Sequence, residues 1–412
     1  MIIIEFYDKA ALENIAGALL CNADKVILVG GDKTAMESKA AIYQSIVRKR
    51  GFNTEFICEE IDKNNLQNIV SVLEKVVSTD QECIFDLTGG DELYLVAMGV
   101  LMNKYPGKIQ CHRFNFQDNM LYDCDADGQV CSTLPFVLTV EENINMYGGM
   151  IIKNPRNPLH TIEWDWNDEF INDVETMWAM CKENVGYWNV ELSIIYGVCN
   201  AIKANDEDLT ISFTTRDVSR SIQNKVVYVN EFIDFLFRIE RMGLINSVNT
   251  TKDTISLTFK NIQIKRCLVL SGRILELIIT ARLKKMQDND GNPLYSDIIS
   301  GVSIDWGMED PNNSYRIVNE IDVIAMKDMI PIFISCKNGN FDENELYKLT
   351  IVAERFGNKY AKKIIMATRL NRLGLRSEYL RTRMKDMDIR CIENIASMSD
   401  EEFNAILGSL YE

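Results

Sequence analysis

Histidine is almost missing from this chain. His112 and His160 are the only two in 412 residues. That argues against chemistry built on several imidazoles, zinc hydrolysis above all. Neither histidine follows an arginine at the spacing used by metal-independent ribonucleases. The eleven cysteines include no Cys-x-x-Cys pair and lie scattered in apolar contexts, as at Cys83 and Cys199. This favours reduced, buried thiols in a cytoplasm over a disulfide framework or a zinc site. There is no GxxxxGK[ST] and no GxGxxG, so neither common phosphate-cradling loop is present. No apolar run approaches the length of a membrane span, and Met1 to Tyr7 reads as a strand, not a signal peptide. Positive charge is also short. The net charge of −16 argues against non-specific nucleic-acid binding by the surface as a whole.

What is present is a globular composition over a length that fits two or three domains. Residues 1–150 alternate strand and helix. Strands are expected at Lys25–Gly30, Asn53–Cys58, Glu82–Leu87 and Ile109–Phe116, with helices between them. Such alternation predicts a parallel sheet covered on both faces, with ligands at the carboxyl ends of the strands. Asp123-x-Asp125-x-Asp127-Gly128 imitates the start of a calcium loop, but Leu134 stands where that loop needs a glutamate, so it reads as a hairpin turn. After the linker Asn154–Pro158, helices at 170–182, 190–202 and 229–242 lead through Gly243-Leu-Ile to a strand at Thr254–Phe259. This resembles a winged-helix unit. The segment is acidic and reads as a spacer, with its tryptophans as packing residues. Charge is uneven further on: Arg355 to Lys385 holds ten Lys or Arg against the single acid Glu378.

The rest of the chain is organised around residues 314–340. Two apolar strands there flank an expected polar tip at Lys327-Asp328. With a two-residue loop, Met326 faces Met329, Asp322 faces Phe333 and Glu320 faces Ser335. Side chains two apart share a strand face, so Glu320, Asp322, Ser335 and Lys337 project together. Charged groups beside buried apolar neighbours are costly unless paired or bound to a metal. A salt-bridged hairpin and a divalent-metal phosphodiesterase site both fit that pattern. Upstream, Gly272–Lys285 reads as a helix, apolar on most faces, with Glu276 in its middle.

A helix Glu, then Asp322, then a strand ending in x-x-Lys337, then a helix resembles the PD-(D/E)xK nuclease fold. The resemblance implies that Glu276 and Asp322 bind Mn or Mg, with Cys336 counted among the metal ligands. It makes Glu276, Glu320, Asp322 and Lys337 the catalytic set. Position 335, where the family places a second acid, holds Ser335. The candidates to supply that carboxylate are Glu320, Glu345 and Glu354.

Two glycine turns mark the first domain: Gly30-Gly31-Asp32-Lys33-Thr34 and Thr88-Gly89-Gly90-Asp91-Glu92. Each joins a strand to a helix, where main-chain N–H groups suit a phosphate. Phe85-Asp-Leu-Thr-Gly-Gly resembles the Thr-Gly-Gly motif of CARF domains, the Rossmann-like sensors of CRISPR systems. That resemblance implies a homodimer binding cyclic oligoadenylate, commonly the tetra-adenylate, through these ten residues. Asp91-Glu92 departs from the Thr-Lys usual at that place and is expected to cap the following helix.

A CARF domain joined to a PD-(D/E)xK domain is similar to the CRISPR ancillary nucleases activated by cyclic oligoadenylate. The expected architecture is α/β: a Rossmann-like CARF sensor at 1–150, a winged-helix-like segment at 151–265 and a restriction-endonuclease-like nuclease domain at 266–412. The expected partners are cyclic oligoadenylate and a DNA or RNA substrate, with no membrane.

Overall fold

The structure is a computed structural model. It describes all residues except 80, 117, 119, 125–129, 133–136, 158, 222–227, 271, 308–316, 340 and 370–374. The chain builds three sheets.

The first sheet uses β1 (Ile2–Phe6), β2 (Lys25–Gly30), β3 (Glu55–Glu60), β4 (Cys83–Asp86), β5 (Ile109–Asn115), β6 (Met120–Asp123) and β7 (Val130–Ser132), in the order β3-β2-β1-β4-β5-β6-β7. The first five strands are parallel, and β6 and β7 return antiparallel. The expected turn at 125–128 lies outside the described residues. Helices α1 (Ala16–Cys21), α2 (Lys33–Lys49), α3 (Leu66–Val77) and α4 (Glu92–Lys104) cover the sheet. The strands are near-continuous apolar runs because both faces are buried. Ile3, Val26, Leu28 and Ile84 pack on one side. Ile2, Ile4, Ile27, Val29 and Phe85 pack on the other.

Next come α5 (Val140–Met146) and β8 (Met150–Ile151). β8 does not close the first unit. It pairs with the edge of the third sheet, so the chain touches its last domain before it forms the middle one. The middle segment holds α6 (Asp168–Glu183), α7 (Val185–Ala201), β9 (Thr210–Thr214), α8 (Thr215–Arg220), α9 (Val229–Arg241), β10 (Ile245–Thr250), β11 (Thr254–Phe259) and α10 (Ile262–Val269). Its three strands order as β10-β11-β9 behind the helices, which is a winged-helix arrangement. Phe232, Phe235, Leu236 and Ile239 bury one face of α9 at helical spacing. Trp178 and Trp188 are fully enclosed.

The last unit holds α11 (Ile274–Lys285), β12 (Asp297–Asp305), β13 (Val318–Lys327), β14 (Ile330–Lys337), α12 (Glu343–Gly357), β15 (Lys362–Ala367), α13 (Leu375–Asp386), β16 (Ile389–Ile392) and α14 (Asp400–Leu407). Its sheet runs β16-β15-β14-β13-β12-β8. This mixed α/β architecture agrees with the expected fold class. Among the described residues no helix is long and apolar enough to cross a membrane.

Alternation decides which core each side of this sheet joins. Val323, Ala325, Ile332 and Ile334 pack with α11 and the middle segment. Ile324, Met326 and Phe333 pack with α12 and with the first sheet's Ile3 and Leu28. One face of the first sheet and the middle segment therefore share their cores with the last unit, while the other face of the first sheet keeps a core of its own.

The hairpin register differs from the expected one. Lys327 pairs with Ile330 and Ile324 with Phe333, so the two-residue loop is Asp328-Met329. Asp328 takes φ of +56°, which an Asp tolerates better than most residues. The register moves by two residues and not by one. An even shift keeps every side chain on its face, and Asp322 now stands across from Ser335.

Candidate functional site

Three elements bring the charged residues together. α11 is buried along its length from Ile274 to Leu283, which encloses Glu276 at 4% exposure. β13 supplies Asp322, on the face that Ile324 and Met326 continue into the core. β14 ends on Ser335, Cys336 and Lys337 just where its apolar run stops.

Asp322 is tightly held. One carboxylate oxygen accepts the Cys336 main-chain N–H at 2.6 Å and the Ser335 hydroxyl at 3.3 Å. The same oxygen lies 3.8 Å from the Lys337 ammonium. Lys337 makes its shorter ion pair with Glu345 of α12, at 2.7 Å. Burial raises the Asp322 carboxyl above its ordinary value, because the long contact to Lys337 offsets only part of the lost solvation. Burial works against the Lys337 ammonium too, but Asp322 and Glu345 outweigh it and raise the lysine above its usual range. The Cys336 thiol is pushed well above its ordinary value by burial and by the charges of Asp322 and Glu276. It is kept protonated.

Glu276 is pushed up to about 8, first by burial and then by Asp322 and Glu320, with Arg273 pulling the other way. Arg273 bridges two acids, reaching Glu276 at 3.1 Å and Glu320 at 3.1 Å. Glu320 is thereby drawn to the arginine, while Glu345 is engaged by Lys337. Glu354 is exposed on α12. Among the described residues, no group of three His, Cys, Asp or Glu converges as a metal site. The fold thus gathers Glu276, Asp322, Ser335, Cys336 and Lys337. Of the three acids considered as replacements for position 335, it brings Glu345 nearest to the lysine. Arg273 was missed in the sequence because it precedes the helix and carries no periodic signal.

The glycine turns lie at the carboxyl ends of β2 and β4. A cleft of about 750 Å³ opens there. Of the ten expected residues, Gly31, Asp32, Gly90 and Asp91 line it. Asp32 caps α2, accepting the Ala35 N–H at 3.0 Å. Asp91 is the N-cap residue of α4 but makes no side-chain cap bond. Its carboxylate lies 3.8 Å from Lys63 instead. Gly30 and Gly89 serve close packing, since a Cβ on them would meet Met36 and Glu13. Gly90 has φ of +112° and stands against Phe6, which leaves no room for a side chain. Thr88 faces a different cleft, described below. Lys33, Thr34 and Glu92 begin the helices α2 and α4. Tyr7, Asp8, Lys9, Lys63 and Asn64 also line the cleft and were not singled out. The strand-end rule alone would have found them, as they follow β1 and β3.

Beneath the Thr88 turn lies a buried acidic group. Asp86 accepts the Thr88 N–H at 2.8 Å and also the Thr88 hydroxyl. Glu5 and Asp86 are each 1% exposed and flank Gly17, where a Cβ would come within 2.6 Å of Asp86 and 2.7 Å of Glu5. Burial raises the Asp86 carboxyl to about 6. Glu5 is raised well above its ordinary value by burial and by Asp86.

No family model matches this sequence, and no curated protein matches it. Solved structures do share its fold. Protein VC1899 from Vibrio cholerae superposes with a TM-score of 0.72 at 16% identity, covering 100% of this chain and 96% of that one. Can2 from Sulfobacillus thermosulfidooxidans, solved in complex with cyclic tetra-adenylate, superposes with a TM-score of 0.65 at 14% identity, covering 99% and 97%. Both likenesses run through all three parts of the molecule.

Proposed function

We propose that this chain is a cyclic-oligoadenylate-responsive nuclease of type III CRISPR defence, a homodimer that binds cyclic tetra-adenylate through its first domain and cuts DNA or RNA with its last. The carrying observation is the meeting of Asp322, Ser335 and Lys337 on paired strands beside buried Glu276, in a chain that shares its fold with a protein solved in complex with cyclic tetra-adenylate.

The donors suit a hard divalent cation, which takes oxygen ligands and, for Mg, often only one or two carboxylates with water completing the shell. Glu276 and Asp322 would hold Mn or Mg, and Cys336 would offer its main-chain oxygen, not its protonated thiol. The ion would supply Lewis-acid polarisation of the phosphate and an activated water. Lys337, kept charged by its acidic neighbours, places positive charge where the scissile phosphate develops negative charge. Ser335 and the Cys336 amide orient Asp322. Glu320 is available once Arg273 releases it.

The test is incubation of the full chain with Mn and with single-stranded DNA, supercoiled DNA or RNA, with and without cyclic tetra-adenylate. Cleavage only with the ring, lost in Lys337→Ala, is the expected result. Ring binding with no cleavage of any substrate would leave a sensor whose nuclease domain has lost its chemistry, the reading that Ser335 favours.

A further inference from the structure

Two clefts lie back to back across the Thr88–Gly90 turn, and their charges are opposite. The strand-end cleft is lined by Asp8, Asp32, Asp62 and Asp91 against Lys9 and Lys63. The second cleft, of about 570 Å³, is lined by Arg113, Lys359 and Lys362 and, among the described residues, by no carboxylate. One wall is Thr88 and β5 of the first sheet. The other is the turn after α12 and the start of β15.

We infer that this junction cleft is a binding site for a phosphate-bearing nucleotide. Its volume suits one nucleotide. Arg113 is exposed and has no ion-pair or hydrogen-bond partner among the described residues. Lys362 lines the cleft and donates to the Glu412 main-chain oxygen at 2.7 Å. Lys359 is anchored at 2.7 Å by Glu13, a buried acid of the first domain. Phe116 and Tyr360 stand with ring centroids 4.3 Å apart and give the cleft an aromatic floor. Cations beside an aromatic surface are what a phosphate attached to a base requires. The inference does not depend on which cleft holds the cyclic ring. Because the walls belong to different units, an occupant here bridges sensor and nuclease.

The test titrates adenosine 5′-monophosphate, inorganic phosphate and unphosphorylated adenosine into the full chain by calorimetry. The monophosphate is expected to bind, and adenosine to bind weakly or not at all. Arg113→Ala and Lys362→Ala should each weaken the monophosphate by roughly tenfold or more, the size of a lost charge-assisted contact. Lys63→Ala, in the other cleft, should leave it unchanged. Competition with cyclic tetra-adenylate then separates two sources: displacement means the ring itself supplies the nucleotide, and simultaneous binding means a separate one does. Either supports the site. No binding of the monophosphate, equal binding by Arg113→Ala, or weakening by Lys63→Ala alone overturns it. This result is independent of cleavage, so its failure leaves the nuclease reading standing.

Discussion

Arg273 occupies the space that a side chain on Gly301 would need. A Cβ there would stand 2.7 Å from the guanidinium, and Gly301 has φ of +59°. Gly301 lies between Ser300 and Val302, whose partners are Val323 and Ile321, so it falls opposite Asp322. The missing side chain is what lets Arg273 lie between Glu276 and Glu320. Gly301→Ala is therefore expected to destabilise the fold by about 1–3 kcal/mol, through strain at positive φ and through the displaced arginine. Part of that cost should vanish in an Arg273→Ala background. A double-mutant cycle by denaturant unfolding measures the difference, and strict additivity would rule out the contact.

Glu276 is a buried acid held near 8, so its charge works against the fold. Glu276→Gln is expected to abolish cleavage, by about a hundredfold or more, with no fall in melting temperature. Asp322→Ala should also lose cleavage but should destabilise, because it leaves the Cys336 amide and the Lys337 ammonium without their acceptor. Paired melting and cleavage assays distinguish the two. Loss of stability in Glu276→Gln would contradict the argument.

Stability should depend on pH through Glu5 and Asp86. Both folded-state values lie above the ordinary carboxylate range, and Asp86 lies at about 6. Protons are thus bound more tightly in the folded chain. The stabilisation is complete below the ordinary carboxyl range and is lost as pH rises through about 6 and beyond. Asp86→Asn removes one of the two groups that must ionise. It is expected to shrink the stability difference between pH 5 and pH 8, by on the order of 1 kcal/mol for the Asp86 share. Urea titrations at the two pH values check this. An unchanged difference would show that Asp86 is not the titrating group.

Glu13 of the first domain accepts the Tyr360 hydroxyl across 347 residues of chain. It also pairs with Lys359 and lies against Gly89 of the Thr88 turn, where a Cβ would come within 3.0 Å of the carboxylate. Tyr360 follows α12, the helix that carries Glu345 to Lys337. Tyr360→Phe is expected to keep ring binding and lower the ratio of ring-stimulated to basal cleavage. An unaltered ratio would show that this contact carries no coupling.

Much of the local structure could be read from residue order. The apolar strands at 25–30, 83–86, 330–337 and 362–367, and the helices between them, follow from period-two and period-3.6 patterns, which are local properties of the backbone. The shared face of Asp322, Ser335 and Lys337 survived an error in register because side-chain parity survives any even shift. The loop position itself was not legible. Lys327-Asp328 and Asp328-Met329 make equally short turns, and both keep Met326 and Ile324 on the core face, so the apolar pattern alone does not choose between them.

The sequence by itself determined the alternating α/β frame, the scarcity of histidine, and the residue types at both glycine turns and the Lys337 strand. Each is set by neighbours a few positions away. Only the tertiary structure decided that Arg273 lies between Glu276 and Glu320, that Glu345 engages Lys337, that Glu13 reaches Tyr360, and that Arg113 and Lys362 face one cleft. Those pairings join residues far apart in the chain. They depend on how sheets and helices stack to bury both faces of β13 and β14, and no short-range pattern encodes that.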